Sequence, residues 1–303
     1  MSSSFLEGRR SRIATLVTSY LILGGLVILA IRHALVSADA YTRIVPQGIV
    51  SWWIVVLIIL VLLLIGLASR RITTRSFYEF VFGIALFLGV WVYCWDVIPW
   101  DIGLLVASLA TLAQAYIRRV IVHDIYILIG AAGIAIHFAF FLSQSALAAA
   151  LVGFAIYDIV VGRARGMAET LATSLIRRGV IPGLIVPGKE EARSEERGAR
   201  RMLASLFSRS SLLAPRSSFF SPISEIIKRP DSVFLGAGDL ILPMALVARV
   251  TANDWRAGVL VVIGTAIGSA WLGMRKSPKT FPALVPLLAG GGLGLLVAYV
   301  IRI

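Results

Sequence analysis

Apolar residues run through this chain in long stretches, broken by short clusters of arginine, lysine and turn-forming residues. A helix needs about 20 apolar residues to cross roughly 30 Å of hydrocarbon. Runs of that class fall near 13–31, 49–68, 77–97, 101–117, 125–142, 145–161, 233–250, 256–274 and 282–301. The pattern predicts an all-α membrane protein with nine transmembrane helices, six before a long polar interval and three after it. Ser143 and Gln144 alone separate the fifth and sixth runs, which predicts a tight helical hairpin there. The seventh is the least regular, because Gly236, Gly238 and Pro243 interrupt it.

The interval from Gly162 to Ser232 divides in two. Met167, Leu171, Leu175 and Ile176 share one helical face while Arg165, Glu169, Arg177 and Arg178 point away, as in a helix lying at a membrane surface. Pro182 and Pro187 end that pattern. From Gly188 to Pro230 the sequence is charged and Ser/Arg-rich without sustained periodicity, which reads as a mobile cytoplasmic linker. The chain thus reads as a six-span part with its amphipathic extension (1–187), a linker (188–230) and a three-span part (231–303), all in one membrane domain.

Composition agrees with lipid as the solvent. The 303 residues are 58% hydrophobic and 15% charged, too few charges to cover a water-facing surface. The formal net charge of +13 would suggest nucleic acid in a soluble chain, but in an apolar one Lys and Arg first serve to hold loops on the cytoplasmic side. No nucleic-acid partner is expected. The lone cysteine, Cys94, forms no internal disulfide, and no Cys/His cluster has zinc-site spacing, so no metal and no cofactor is expected.

Counting basic residues in short loops orients the chain. Eleven lie on one side (Arg9, Arg10, Arg12, Arg70, Arg71, Arg75, Arg118, Arg119, Arg275, Lys276, Lys279) and five on the other (Arg32, Arg43, Arg249, Arg256, Arg302). The expectation is a multi-pass protein of the cell membrane with its N-terminus cytoplasmic and its C-terminus outside. Trp52, Trp53, Trp95, Trp100 and Trp255 then gather at the outer interface. The first run is longer than a secretory h-region and reads as a retained span.

Two acids stand in the wrong solvent. Asp158, in the sixth run, and Asp239, in the seventh, have apolar neighbours, although a central aspartate costs about 2.5 to 3.5 kcal/mol on insertion scales. The sixth run heads toward the cytoplasm and the seventh returns, so the two carboxyls can be level in the inner third of the membrane. Two such carboxyls around one water cannot both ionise readily, and the pair keeps a proton. The ionised partner can then take a proton from water while the protonated one polarises an amide carbonyl, which is what peptide hydrolysis needs. Gly236 and Gly238 let backbone approach backbone, and the segment just before Asp239 could offer an edge to which an opened substrate adds as a strand. Pro282, without an amide donor, and small Ala283 let the Phe281-Pro282-Ala283-Leu284 corner come close to both aspartates.

These motifs, Tyr157-Asp158, Gly236-Ala237-Gly238-Asp239 and Pro282-Ala283-Leu284, in that order along nine spans, resemble the presenilin family of intramembrane aspartyl proteases. The stretch Met167-Ala168-Glu169-Thr170 through Ile181-Pro182-Gly183-Leu184-Ile185 is similar to the family's segment after its first aspartate. The resemblance implies a presenilin-like bundle with Asp158 and Asp239 as the catalytic pair. It further implies that Tyr157, Gly236, Gly238, Pro282, Ala283 and Leu284 support the site, with Leu235, Ala237 and Phe281 at the substrate. Implied partners are transmembrane helices of substrate proteins and the lipid bilayer, with a homo-oligomer open, and microbial (archaeal-type) members are the nearest in kind. Ala237 and Phe281 depart from the family's usual leucines, which bears on substrate preference. The arginine asymmetry favours presenilin over the reversed signal-peptide-peptidase branch.

Other readings of the same aspartates are a proton relay in a transporter or channel, and a prepilin-peptidase-like enzyme. Glu79, Asp96 and Asp101, near span ends, are expected to reach headgroups or pair locally. His123 is expected at an interface beside Asp124, and His137 as a hydrogen-bonded packing residue. Ser269 has no histidine after it to serve as a base. Gly290-Gly291-Gly292 is expected to be a close helix contact, and Tyr157 to be either core or a partner of the aspartates.

Overall fold

The computed structural model describes residues 3–36, 75–117, 120–163, 183–186, 233–274 and 283–301. Eight helices and one two-stranded ribbon occupy them: α1 (Ser3–Val36), α2 (Arg75–Val97), α3 (Trp100–Tyr116), α4 (Val120–Phe141), α5 (Gln144–Arg163), β1 (Gly183–Val186), β2 (Val233–Gly236), α6 (Ala237–Asn253), α7 (Trp255–Met274) and α8 (Leu284–Val300). Four stretches, Arg12–Val36, Phe80–Val97, Val120–Phe141 and Trp255–Met274, are long and apolar enough to cross a membrane, and Trp100–Gln114, Gln144–Val160 and Leu284–Val300 are shorter apolar helices. The expected second span, the amphipathic helix after the sixth and the linker all lie outside the described residues.

The seventh run departs from expectation at its start. It opens as strand β2 and becomes helical only at Ala237, because the β-branched and aromatic residues of Val233-Phe234-Leu235 suit a strand and Gly236 then caps the helix. Its partner, β1, lies inside the segment read as an extension of the six-span part. Pro187 restricts Val186 to extended backbone, which favours the strand. The strands pair antiparallel, Gly183 opposite Gly236, Leu184 opposite Leu235, Ile185 opposite Phe234 and Val186 opposite Val233.

Helix packing rests on small residues, as expected where lipid supplies no hydrophobic drive between helices. On α7 and α8, a Cβ at Gly264 would meet the Gly290 carbonyl and one at Gly290 would meet the Gly264 carbonyl. On α2 and α4, a Cβ at Gly133 would strike the Gly89 carbonyl. The glycine run of α8 is thus a helix contact at Gly290 and Gly291, while Gly292 faces open space. Large apolar side chains on the outside, such as Leu29, Ile267 and Leu293, are exposed and form the surface a bilayer would cover.

Contacts along the helices fix their relative directions. Gly24 of α1 meets Val262 of α7 and Gly273 of α7 meets Ile13 of α1, so these two run antiparallel. Gly268 of α7 meets Pro286 of α8 while Gly294 of α8 meets Leu260 of α7, again antiparallel. Hence α1 and α8 run the same way and end at the same face. At that face Trp95, Trp100 and Trp255 are exposed, and the Arg32 guanidinium lies 5.0 Å above the Trp255 ring. Asp96 is buried there rather than reaching headgroups, with His137 Nδ1 at 3.7 Å and its own carbonyl 3.2 Å from His33 Nδ1. His137 also donates to the Gly133 carbonyl at 3.3 Å, the packing role expected of it.

Candidate active site

Asp239 is the third residue of α6. The helix starts at Ala237, after Gly236 at the N-cap position takes an extended conformation (φ −61°, ψ 147°) and offers no side chain to the first amides. The Asp239 carboxyl reaches back and accepts a hydrogen bond from the Gly236 amide, the reciprocal half of a capping box. Pro243 sits four residues on, inside the helix, and has no N–H for the Asp239 carbonyl. Tyr20 of α1, wholly buried, supplies the missing donor, its hydroxyl donating to that carbonyl at 3.0 Å.

Asp158 lies five residues before the end of α5. Its Oδ2 accepts the Leu284 amide at 2.9 Å. Leu284 opens α8, where first-turn amides have no acceptor within the helix, so a carboxylate from another helix fills an available role. The Leu284 side chain is buried, which holds that amide in place. The carboxyls of Asp158 and Asp239 interact electrostatically across the gap between α5 and α6. One acid is thus tied to the start of α6 and α1, the other to the start of α8.

The ribbon leads into this gap. Asp124 Oδ1 of α4 accepts the Ile185 amide at 3.0 Å, and His123 Nε2 donates to the Gly183 carbonyl at 3.1 Å. Backbone groups of alternate strand residues point to opposite sides, so Gly183 and Ile185 face α4 while Leu184 and Val186 bond to Leu235 and Val233. On β2, Phe234 and Gly236 then point away from β1. That outer edge ends at the Gly236 amide, the group held by the Asp239 carboxyl.

The remaining expected site residues divide. Ala283 stands beside Leu284 at the corner, and Phe281 and Pro282 fall outside the described residues. Gly236 is exposed, and a Cβ on it would lie 3.3 Å from Asp239 Oδ2. Gly238 is exposed with open space around it, and Ala237 is half-buried. Leu235, expected at the substrate, has its side chain buried in the core and its backbone paired with Leu184 in the ribbon. Tyr157 is 64% exposed on α5. Tyr20, Gln114 and the strand-capping role of His123 and Asp124 were missed. Only Tyr20 had a signal, the orphan carbonyl that Pro243 creates four residues after Asp239.

No protein-family model and no curated protein matches the sequence. Solved structures do. Two structures of a presenilin-family intramembrane aspartate protease, in different crystal forms, superpose with TM-scores of 0.51 and 0.53 at 18% and 19% identity. The first covers 93% of this chain and 94% of its own, the second 95% and 97%. The fold is that of a presenilin-family intramembrane aspartate protease. At this identity the likeness concerns the fold, and coverage over nearly the whole of both chains includes the first spans, where the motifs are silent.

Proposed function

We propose that the chain is an intramembrane aspartyl protease that hydrolyses peptide bonds within transmembrane segments of other proteins, with Asp158 and Asp239 as coupled acid and base. The observation that carries this is the convergence of the two acids from α5 and α6, each anchored by a backbone amide at a helix start. One carboxylate removes a proton from water as its oxygen attacks the scissile carbonyl. The other, protonated, donates to the carbonyl oxygen and gives a gem-diol. Proton return to the leaving nitrogen breaks the C–N bond, yielding one new amine and one new carboxyl group. The Leu284 amide steadies the Asp158 carboxylate through this exchange.

A substrate helix must first unwind, and its backbone groups then need partners in a medium that supplies none. The outward backbone of Phe234 and the Gly236 carbonyl are such partners, at the edge that ends on Asp239. The substrate therefore adds as a third strand beside β2, main chain to main chain, which tolerates varied sequences. The arginine asymmetry puts this site near the cytoplasmic face of a cell membrane, with the N-terminus inside and the C-terminus outside. No cofactor enters the chemistry.

Purified protein and a single-span test substrate decide the matter. Asp158→Asn and Asp239→Asn should each lower cleavage by at least about 10²- to 10⁴-fold, the worth of a general acid or base, with unchanged melting behaviour. Cleavage that survives either change rejects the reading. So does ion or proton flux through reconstituted protein without proteolysis.

A further inference from the structure

Resting on the protease reading, we propose that Asp124 and His123 of α4, backed by Gln114 of α3, form a register anchor that sets which substrate bond is presented to the aspartates. The three residues act through the ribbon and touch no substrate, so they are positioning residues.

A neighbouring strand would give β1 an acceptor for one amide and a donor for one carbonyl, two residues apart. Asp124 and His123 supply that pair from a helix: the carboxylate takes the Ile185 amide and the imidazole gives to the Gly183 carbonyl. A carbonyl can only accept, so His123 carries its proton on Nε2. Its Nδ1 is then an acceptor, filled by Gln114 Nε2 at 2.6 Å. Gln114 thus fixes the ring's tautomer, and with it the direction of the bond to β1. The ring is buried, at 4% exposure.

Two consequences follow from the closed edge. A strand cannot be added on the α4 side of β1, which leaves the β2 edge that runs to Asp239. The second consequence is register. A four-residue, two-stranded ribbon is marginal on its own and could slip. A slip that kept the faces would be two residues, about 7 Å. It would move the Gly183 carbonyl off His123 and the Ile185 amide off Asp124 together. Holding these two groups holds β2 opposite β1, and β2 aligns the added substrate strand with Asp239.

The test uses the full-length protein and a single-span substrate, with product ends read by mass spectrometry. Asp124→Ala and His123→Ala should lower kcat/KM by about tenfold, as loss of a charged or buried hydrogen bond does, and spread cleavage to bonds two residues away. Asp124→Asn keeps an acceptor oxygen and should restore both the rate and the single cut. Wild-type rate and cut position in Asp124→Ala, or no rescue by Asp124→Asn, overturns the anchor. Hydrogen–deuterium exchange tests it without activity. Exchange across 183–186 should accelerate in Asp124→Ala and not in Asp124→Asn, and unchanged exchange in Asp124→Ala also overturns it. Faster exchange in Asp124→Ala together with a wild-type protein that cuts nothing would sink the protease reading and the register claim while leaving the contact to β1 intact.

Discussion

The hydroxyl of Tyr20 donates to the backbone carbonyl of Asp239, the carbonyl that Pro243 leaves without its helical partner. A proline inside a helix ordinarily breaks a bond and bends the rod. Here the freed carbonyl joins α1 to the residue bearing one of the two acids, so the proline becomes a point of cross-helix attachment. Tyr20→Phe should destabilise the protein by about 1 to 3 kcal/mol, the cost of an unsatisfied buried carbonyl, and slow cleavage by loosening Asp239. In a Pro243→Ala background the helix regains its own donor, so the same change should cost less. A double-mutant cycle on melting temperature and kcat measures the coupling. Additive effects would mean that Tyr20 serves Asp239 in no special way.

Leu284 offers a separate handle on Asp158. Leu284→Ala and Leu284→Pro both remove the buried side chain, but only proline also removes the amide that Asp158 accepts. Proline is tolerated at a first helical position, but its ring disfavours the αR backbone of Ala283 (φ −73°, ψ −31°), so melting temperature is read beside kcat to separate that strain from loss of the amide. The expected result is that Leu284→Pro lowers kcat about 10- to 100-fold further than Leu284→Ala, as the loss of a hydrogen bond to a charged group would. Equal kcat for the two variants would show that the amide adds nothing to Asp158.

Much of this molecule was legible in the sequence, and the illegible parts share a cause. Hydrophobic run length located the described helices, and the two acids in apolar runs, with the glycine and Pro-Ala-Leu motifs, pointed to the candidate site. The meeting of Leu284 with Asp158 follows from topology, since both lie where their helices end or begin at one face. The ribbon was half legible: an edge was expected before Asp239, but its partner at 183–186, between the two prolines that end the helical pattern, carried no strand signal of its own. Pairing across the long polar interval leaves no local trace, since four apolar residues fit a buried strand and a helix end equally well. His123 and Asp124 likewise read as interfacial residues, because nothing near them in sequence says that a strand lies against α4.

Phe234 tests strand addition. Its amide and carbonyl face away from β1, so proline there removes a donor from the open edge and none from the ribbon, and an edge position with an outward N–H accepts proline. Phe234→Ala controls for the side chain. Phe234→Pro should raise KM severalfold over Phe234→Ala with a similar melting temperature, if the substrate takes that amide. Matching KM values for the two variants would move the substrate to another surface.

The α7–α8 contact can be checked by stability alone. The atom that a Cβ at Gly264 would meet is a backbone carbonyl on the facing helix, which cannot rotate aside. Gly264→Leu must therefore push the helices apart, with an overpacking cost of about 1 to 3 kcal/mol or more. Gly292, on the same glycine run of α8, has nothing within 4 Å of its would-be Cβ. Gly292→Leu should be neutral or stabilising by up to about 1 kcal/mol, because leucine is the better helix former. Thermal unfolding in detergent compares the two. Because the corner carrying Leu284 opens α8, Gly264→Leu should also lower cleavage more than its loss of stability explains, whereas Gly292→Leu should leave cleavage unchanged. Equal melting temperatures for the two variants would contradict the close approach of α7 and α8 from which the placement of Leu284 follows.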